Sequence, residues 1–157
     1  ITVWESLAII EYLAEKFPDR GIWPAEAAAR AHARSAAAEM HAGFQNLRRD
    51  YGANWRRTYA WKVRGDGSAL EDAKRIFALW KEARRRFGQG GPFLYGAFSA
   101  ADAMYAPVVG RFTTYSGVVD AETEAYMEAI RTLPAYAEWV EAGRAEPWSI
   151  AQYELDE

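Results

Sequence analysis

Apolar positions along the chain recur at helical spacing, and polar or glycine-rich segments separate them. Leu7, Ile10 and Leu13-Ala14 follow Glu5-Ser6 at intervals of three and four, which predicts a helix behind a capping Ser6. Phe17-Pro18-Asp19-Arg20-Gly21 ends it, because Pro18 has no N–H to donate and Gly21 accepts a left-handed turn. Ahead of it, Ile1 to Trp4 is β-branched and aromatic and predicts a short strand. A lone strand leaves backbone groups unpaired, so this reading expects strand partners from sequence upstream. The opening Ile1, where a native start would show Met, points the same way.

Ile22-Trp23-Pro24 reads as a connector. A long Ala-rich helix is predicted over 26–49, with Ala33, Ala36, Met40, Phe44, Leu47 and Tyr51 on one face. Its small residues permit close approach of another helix, from this subunit or a second one. Residues 52–68 show no clear period. Ser68-Ala-Leu-Glu71 resembles a capping box and opens a stripe of Leu70, Ala73, Ile76, Phe77, Trp80, Ala83 and Phe87. After the loop Gly88-Gln-Gly-Gly-Pro92, Ser99 and Asp102 form a second capping box, with Phe98 placed to staple onto Ala103. The helix behind it is apolar on nearly every face, as a central buried helix is, and Pro107 is expected to bend it. Two further helices are predicted over 122–131 and 134–143.

Composition narrows the class. Nineteen Lys and Arg against 22 Asp and Glu give 19 − 22 = −3 over 157 residues, which excludes a globally basic nucleic-acid binder. Half the residues are hydrophobic, which suits a cored domain. The longest apolar run, 93–110, is interrupted by Asp102 and Pro107, so no membrane span is expected. With no cysteine there is no disulfide framework, zinc–thiolate site or cysteine nucleophile in this stretch, and a cytoplasmic setting is expected. Residues 48–64 carry Arg48, Arg49, Arg56, Arg57, Lys62 and Arg64 against Asp50, a local charge of 6 − 1 = +5, leaving −3 − 5 = −8 elsewhere. That segment reads as a solvated surface, as a positive rim that draws in anions, or, least in keeping with the acidic remainder, as a single-stranded nucleic-acid surface. His32 and His41 are nine residues apart, out of helical register, with no acidic cluster beside them, so no metal site is expected.

Two motifs carry a family resemblance. Val3-Trp4-Glu5-Ser6-Leu-Ala-Ile-Ile10 resembles the strand–helix junction near the end of the first domain of cytosolic glutathione transferases, of bacterial type. Gly96-Ala-Phe98-Ser99-Ala-Ala-Asp102 resembles the capping-box helix at the centre of their all-helical second domain. The resemblance implies a mainly α chain. Residues 1–21 would be the last strand and helix of a thioredoxin-like α/β domain, and 22–157 the C-terminal helical bundle. It implies glutathione as co-substrate, a small electrophilic or acidic second substrate, a homodimer and a role in detoxification. Val3, Glu5 and Ser6 are then the glutathione-binding candidates. Glu5 would pair with the γ-glutamyl ammonium, and Ser6 would give its N–H and hydroxyl to the γ-glutamyl carboxylate. Read without the family, Ser6 is an ordinary cap. Met40, Phe44, Trp55, Tyr105 and Phe112 are candidates for the electrophile pocket, or plain core. Ser99 and Asp102 are read as structural. The residue that activates the thiol is expected upstream, so no catalytic residue is assigned here and this chain alone is expected to be inactive. Two alternatives stay open: a non-catalytic helical binding module of the same fold, and a zeta-like glutathione-dependent isomerase. The second would use Arg111 on a substrate carboxylate, although Arg111 falls about one turn early.

Overall fold

A computed structural model describes residues 1–155. Among the described residues seven α-helices are formed: α1 (Ser6–Lys16), α2 (Ala27–Ala42), α3 (Gln45–Asp50), α4 (Ser68–Phe87), α5 (Ala100–Thr114), α6 (Ala121–Arg131) and α7 (Pro134–Ala145). Short 3₁₀ turns lie at Pro18–Arg20 and Ala151–Tyr153. Ile1–Trp4 has no strand partner among the described residues and runs as coil into α1. The only ladder pairings described there are isolated bridges, Phe93 with Gly96 and Tyr95 with Ala97.

The chain forms two compact units. The first comprises Ile1–Gly43 and Leu79–Tyr105; the second comprises Phe44–Ala78 and the chain from Ala106 onward. In the first, α1 stops where Pro18 opens the 3₁₀ turn, and Gly21 at φ 63° takes the left-handed exit. Trp23 of the connector is buried, as are Ala33, Ala36 and Ala37. The small face of α2 is therefore covered within this chain. Glu26 caps α2, its carboxylate accepting from Ala28 and Ala29 N–H at 2.8 and 2.6 Å. Those two bonds hold the Glu26 carboxyl below the usual range. A lowered folded pKa contributes stability that is present above the unfolded pKa and is lost as pH falls through the folded one. Acid titration followed by circular dichroism should show Glu26→Gln removing part of that low-pH loss.

In the α5 junction of the first unit, the Ser99 N–H and hydroxyl both donate to Asp102 Oδ2, at 2.8 and 2.9 Å, and Leu94 N–H donates to Oδ1 at 3.0 Å. The aspartate thus reaches back as the capping box requires and also ties down the preceding loop. Phe98 sets its ring edge-on to Phe93. At α4 the cap differs from the sequence reading. Ser68 lies inside the helix, and its N–H and hydroxyl donate to Asp66 Oδ1 at 2.9 and 2.6 Å.

The second unit supplies order where the sequence has no period. The expected single helix over 26–49 breaks at Gly43 and at Phe44, which is left-handed at φ 60°, and α3 restarts beyond it. Residues 51–64 then wrap an aromatic cluster. Tyr115 meets Tyr51 edge-on at 5.1 Å and stacks with Tyr59 at 5.3 Å, and the Arg64 guanidinium lies 4.8 Å from the Tyr115 ring centre. Tyr51 Oη donates to Lys62 O, Tyr59 N–H to Thr114 O and Thr114 Oγ1 to Asn54 O. A segment without regular structure satisfies its backbone in this way.

Candidate functional site

Glu5 stands at the N-terminal boundary of α1 with φ 71° and ψ 125°, a conformation that costs a non-glycine residue roughly 1–3 kcal/mol. Ser6 is the first helical residue rather than the cap, and no side chain caps α1. Ile9 N–H closes the first turn onto Glu5 O at 2.9 Å. The first turn itself holds no acidic residue, and Glu5, at the cap position, is the carboxylate nearest the helix mouth. Both side chains are exposed, and Val3 is half-buried in the lead-in.

A third residue joins them from α2. His41 Nε2 lies 2.9 Å from Glu5 Oε2, and its Nδ1 lies 3.3 Å from Ser6 Oγ. The imidazole thus bridges the two candidates across 35 residues of sequence. Nothing local in the sequence marks His41 for this role; only its place in the last turn of α2 brings it there. Chemically, the cluster presents one carboxylate for a cation. Beside it, a hydroxyl and a helix start can receive a carboxylate.

The candidate pocket residues belong to both units. Met40 and Tyr105 are buried in the first unit, where Tyr105 Oη donates to Ala36 O at 3.0 Å. Phe44 and Phe112 are buried in the second. Phe112 lies against Phe77 at 4.8 Å and stacks with Trp61 at 6.2 Å. Trp55, half-buried, is the member of the set that lines a cavity of about 300 Å³.

Arg111 donates to Tyr51 O, and its Nε finds no hydrogen-bond partner among the described residues. Burial, helped by nearby Arg48, pushes its guanidinium below the usual range. It packs with Leu47, Tyr51, Trp61 and Phe112. Arg49, Arg56, Arg57 and Lys62 of the basic segment are exposed, and three of these arginines have carboxylate partners. Arg49 pairs with Asp50 at 2.6 Å, and Arg56 and Arg57 reach Glu154 at 3.5 and 3.0 Å. Arg56 also donates to the carbonyls of Glu146 and Trp148, so its charge anchors the C-terminal tail. His32 Nδ1 lies 2.7 Å from Tyr95 Oη, whose pKa burial raises well above the usual phenol range, with Asp102 and Glu82 adding to the shift. Among the described residues no three His, Cys, Asp or Glu side chains gather as a metal site, and no helix is long and apolar enough to cross a membrane.

Residues 26–142 match the family model of the glutathione S-transferase C-terminal domain. The chain belongs to the glutathione S-transferase family. The mainly α fold read from the capping-box helix is the transferase helical domain. A solved structure with the same arrangement is a glutathione transferase homolog from Burkholderia gl BGR1, with bound glutathione. It is 26% identical to this transferase-family chain, with a TM-score of 0.63 over 93% of this chain and 70% of that one. No curated protein matches.

Proposed function

We propose that the protein works as a glutathione transferase, with the γ-glutamyl end of glutathione held where α1 begins. The observation that carries this reading is the strained Glu5 beside an exposed Ser6 at a helix start that no side chain caps. The bound glutathione of the Burkholderia homolog supports the choice of ligand. Ser6 gives its hydroxyl and N–H to the γ-glutamyl carboxylate, in the favourable field of the helix. Glu5 faces the γ-glutamyl ammonium, and the Val3 backbone runs alongside the tripeptide. The helical domain walls the electrophile, and Met40, next to His41 on α2, is the side chain we assign first to that wall. The reaction is transfer of the glutathione thiolate to an electrophilic carbon, in a cytoplasmic homodimer.

Reduced glutathione titrated calorimetrically into the full chain tests this. Ser6→Ala should weaken binding about tenfold, the effect of removing a hydrogen bond to a charged group, while the circular dichroism spectrum stays unchanged. Equal affinities for the two proteins would remove Ser6 from the site. Conjugation of 1-chloro-2,4-dinitrobenzene reads the transfer step separately.

A further inference from the structure

The last turn of α2 brings His41 against the start of α1, and both ring nitrogens are engaged there. Nε2 lies 2.9 Å from Glu5 Oε2, and Nδ1 lies 3.3 Å from Ser6 Oγ. The glutathione reading above uses Glu5 and Ser6 but gives the imidazole no part. We propose, on the basis of that reading, that glutathione binding draws a proton from solvent onto His41, so that the site takes up ligand and proton together.

Counting hydrogens leads to this. A neutral imidazole has one N–H and one bare nitrogen. An ionised Glu5 can only accept, so Nε2 holds the hydrogen. Nδ1 is then bare, and the bond across 3.3 Å takes the one hydrogen of the Ser6 hydroxyl. In that state Ser6 turns oxygen lone pairs outward, which repel a carboxylate. A protonated imidazole donates from both nitrogens. Nδ1–H then donates to Ser6 Oγ, and the hydroxyl hydrogen is released to the γ-glutamyl carboxylate. The Ser6 N–H serves the ligand in either state, but the hydroxyl serves it in one only.

Charge points the same way. Glu5 together with the γ-glutamyl ammonium and carboxylate leaves one negative charge in excess, and an imidazolium cancels it. Imidazole changes charge between about pH 5 and pH 8, so solvent can supply the proton. The C-terminal end of a helix also favours a cation, and His41 is the basic residue in the last turn of α2. From α1 the charged group in contact with the ring is Glu5. Farther along α1, Glu11 is paired with Arg34 of α2 at 2.7 Å, and Glu15 and Lys16 lie at the far end of the helix. On α2 the nearest charged neighbour in sequence is Glu39, and neither the lead-in Ile1–Trp4 nor Ala42-Gly43-Phe44 carries a charged side chain.

The test is calorimetric titration of γ-glutamyl-alanyl-glycine into the full chain. This peptide is glutathione without its sulfur, so no thiol titrates during the measurement. At about pH 7.5, where imidazole is mostly neutral, the heats are compared in phosphate and in Tris, whose ionisation heats differ. The difference counts protons, and uptake of a fraction of a proton per peptide bound is expected. His41→Gln should abolish the uptake while keeping the parent's helical spectrum, since the side chain is 39% exposed. Binding favours the charged ring, so affinity is full below the imidazole titration and is lost as pH rises through it. Between about pH 6 and pH 8 the parent should weaken roughly tenfold, and His41→Gln should stay flat. A peptide that binds with no proton uptake, or with the same uptake in His41→Gln, would overturn the proposal and leave the assignment of Ser6 standing. No binding of the peptide to the parent would overturn the glutathione reading, and this proposal with it.

Discussion

Asp102→Ala should lower the unfolding free energy by about 3 kcal/mol or more, at roughly 1–3 kcal/mol for each buried donor left without an acceptor. The side chain is fully buried at 0% exposure, and its two oxygens receive Leu94 N–H, Ser99 N–H and Ser99 Oγ. Burying a carboxylate is costly unless it is well bonded. Here charge-assisted bonds and the start of α5 offset that cost. Removing the acceptor orphans donors from two places at once, the loop that leads into α5 and the helix itself. For a domain of this size the melting temperature should fall by roughly 10 °C, at 2–4 °C per kcal/mol. Asp102→Asn is the sharper comparison. Its single side-chain N–H₂ must take the place of one carboxylate oxygen and face a backbone N–H, so it should lose most of what alanine loses despite equal size. Ser99→Ala removes only the hydroxyl and should cost about 1 kcal/mol. Urea unfolding of the three variants gives the order. An Asn variant as stable as the parent would show that the bonds to Asp102 contribute little.

That capping box was legible in the sequence because it is local. Its residues are three apart, and the geometry of one helical turn decides their partners. The stop at Pro18 and Gly21, the α4 stripe, and the helices α6 and α7 are local in the same sense. Periodicity failed where long-range packing decides. Gly43-Phe44 interrupts a run whose apolar spacing continues unbroken into Leu47 and Tyr51, because the break is made by a left-handed Phe44 that no composition rule marks. Residues 51–64 read as a solvated basic segment, and Arg56, Arg57 and Lys62 are indeed exposed. What the sequence does not mark is the order of its buried side, which comes from Tyr115 and Thr114, about 60 positions away, and from Glu154 near the end of the chain. The α1 start shows both cases. Glu5-Ser6 could be picked out as a motif, but Ser6 sits one position inside the helix it was expected to cap. His41 entered the cluster only through the fold.

Helix α2 carries His41 at one end, so what fixes α2 also fixes the cluster at the start of α1. Ala36, in the middle of α2, accepts the Tyr105 hydroxyl at 3.0 Å. Tyr105 meets Trp80 at 5.6 Å with the rings at 89°, an edge-to-face pair worth about 0.5–1.5 kcal/mol beyond its area. The contacts therefore run from Trp80 of α4 through Tyr105 of α5 to Ala36 of α2 within a single unit.

Trp80→Ala should accordingly destabilise the protein by about 3–5 kcal/mol, the range for emptying a large aromatic site in a core. Trp80 is 1% exposed and Tyr105 is 0% exposed, so no solvent stands ready to fill the space beside the phenol ring. Tyr105→Phe keeps that ring and removes only the bond to Ala36 O, at a cost of about 1 kcal/mol. The double variant separates two accounts of the pair. If the Trp80 ring holds the phenol in place for its hydrogen bond, the two losses should fall short of additive by about 0.5 kcal/mol or more, as for residues in direct contact. Strict additivity in urea unfolding would mean that the ring and the hydroxyl act independently. In that case Tyr105 would keep its bond to α2 whatever stands at position 80, and glutathione affinity in folded Trp80→Ala should match that of the parent. Coupling predicts instead that His41 loses its register with Glu5 and Ser6, so the affinity falls together with the stability.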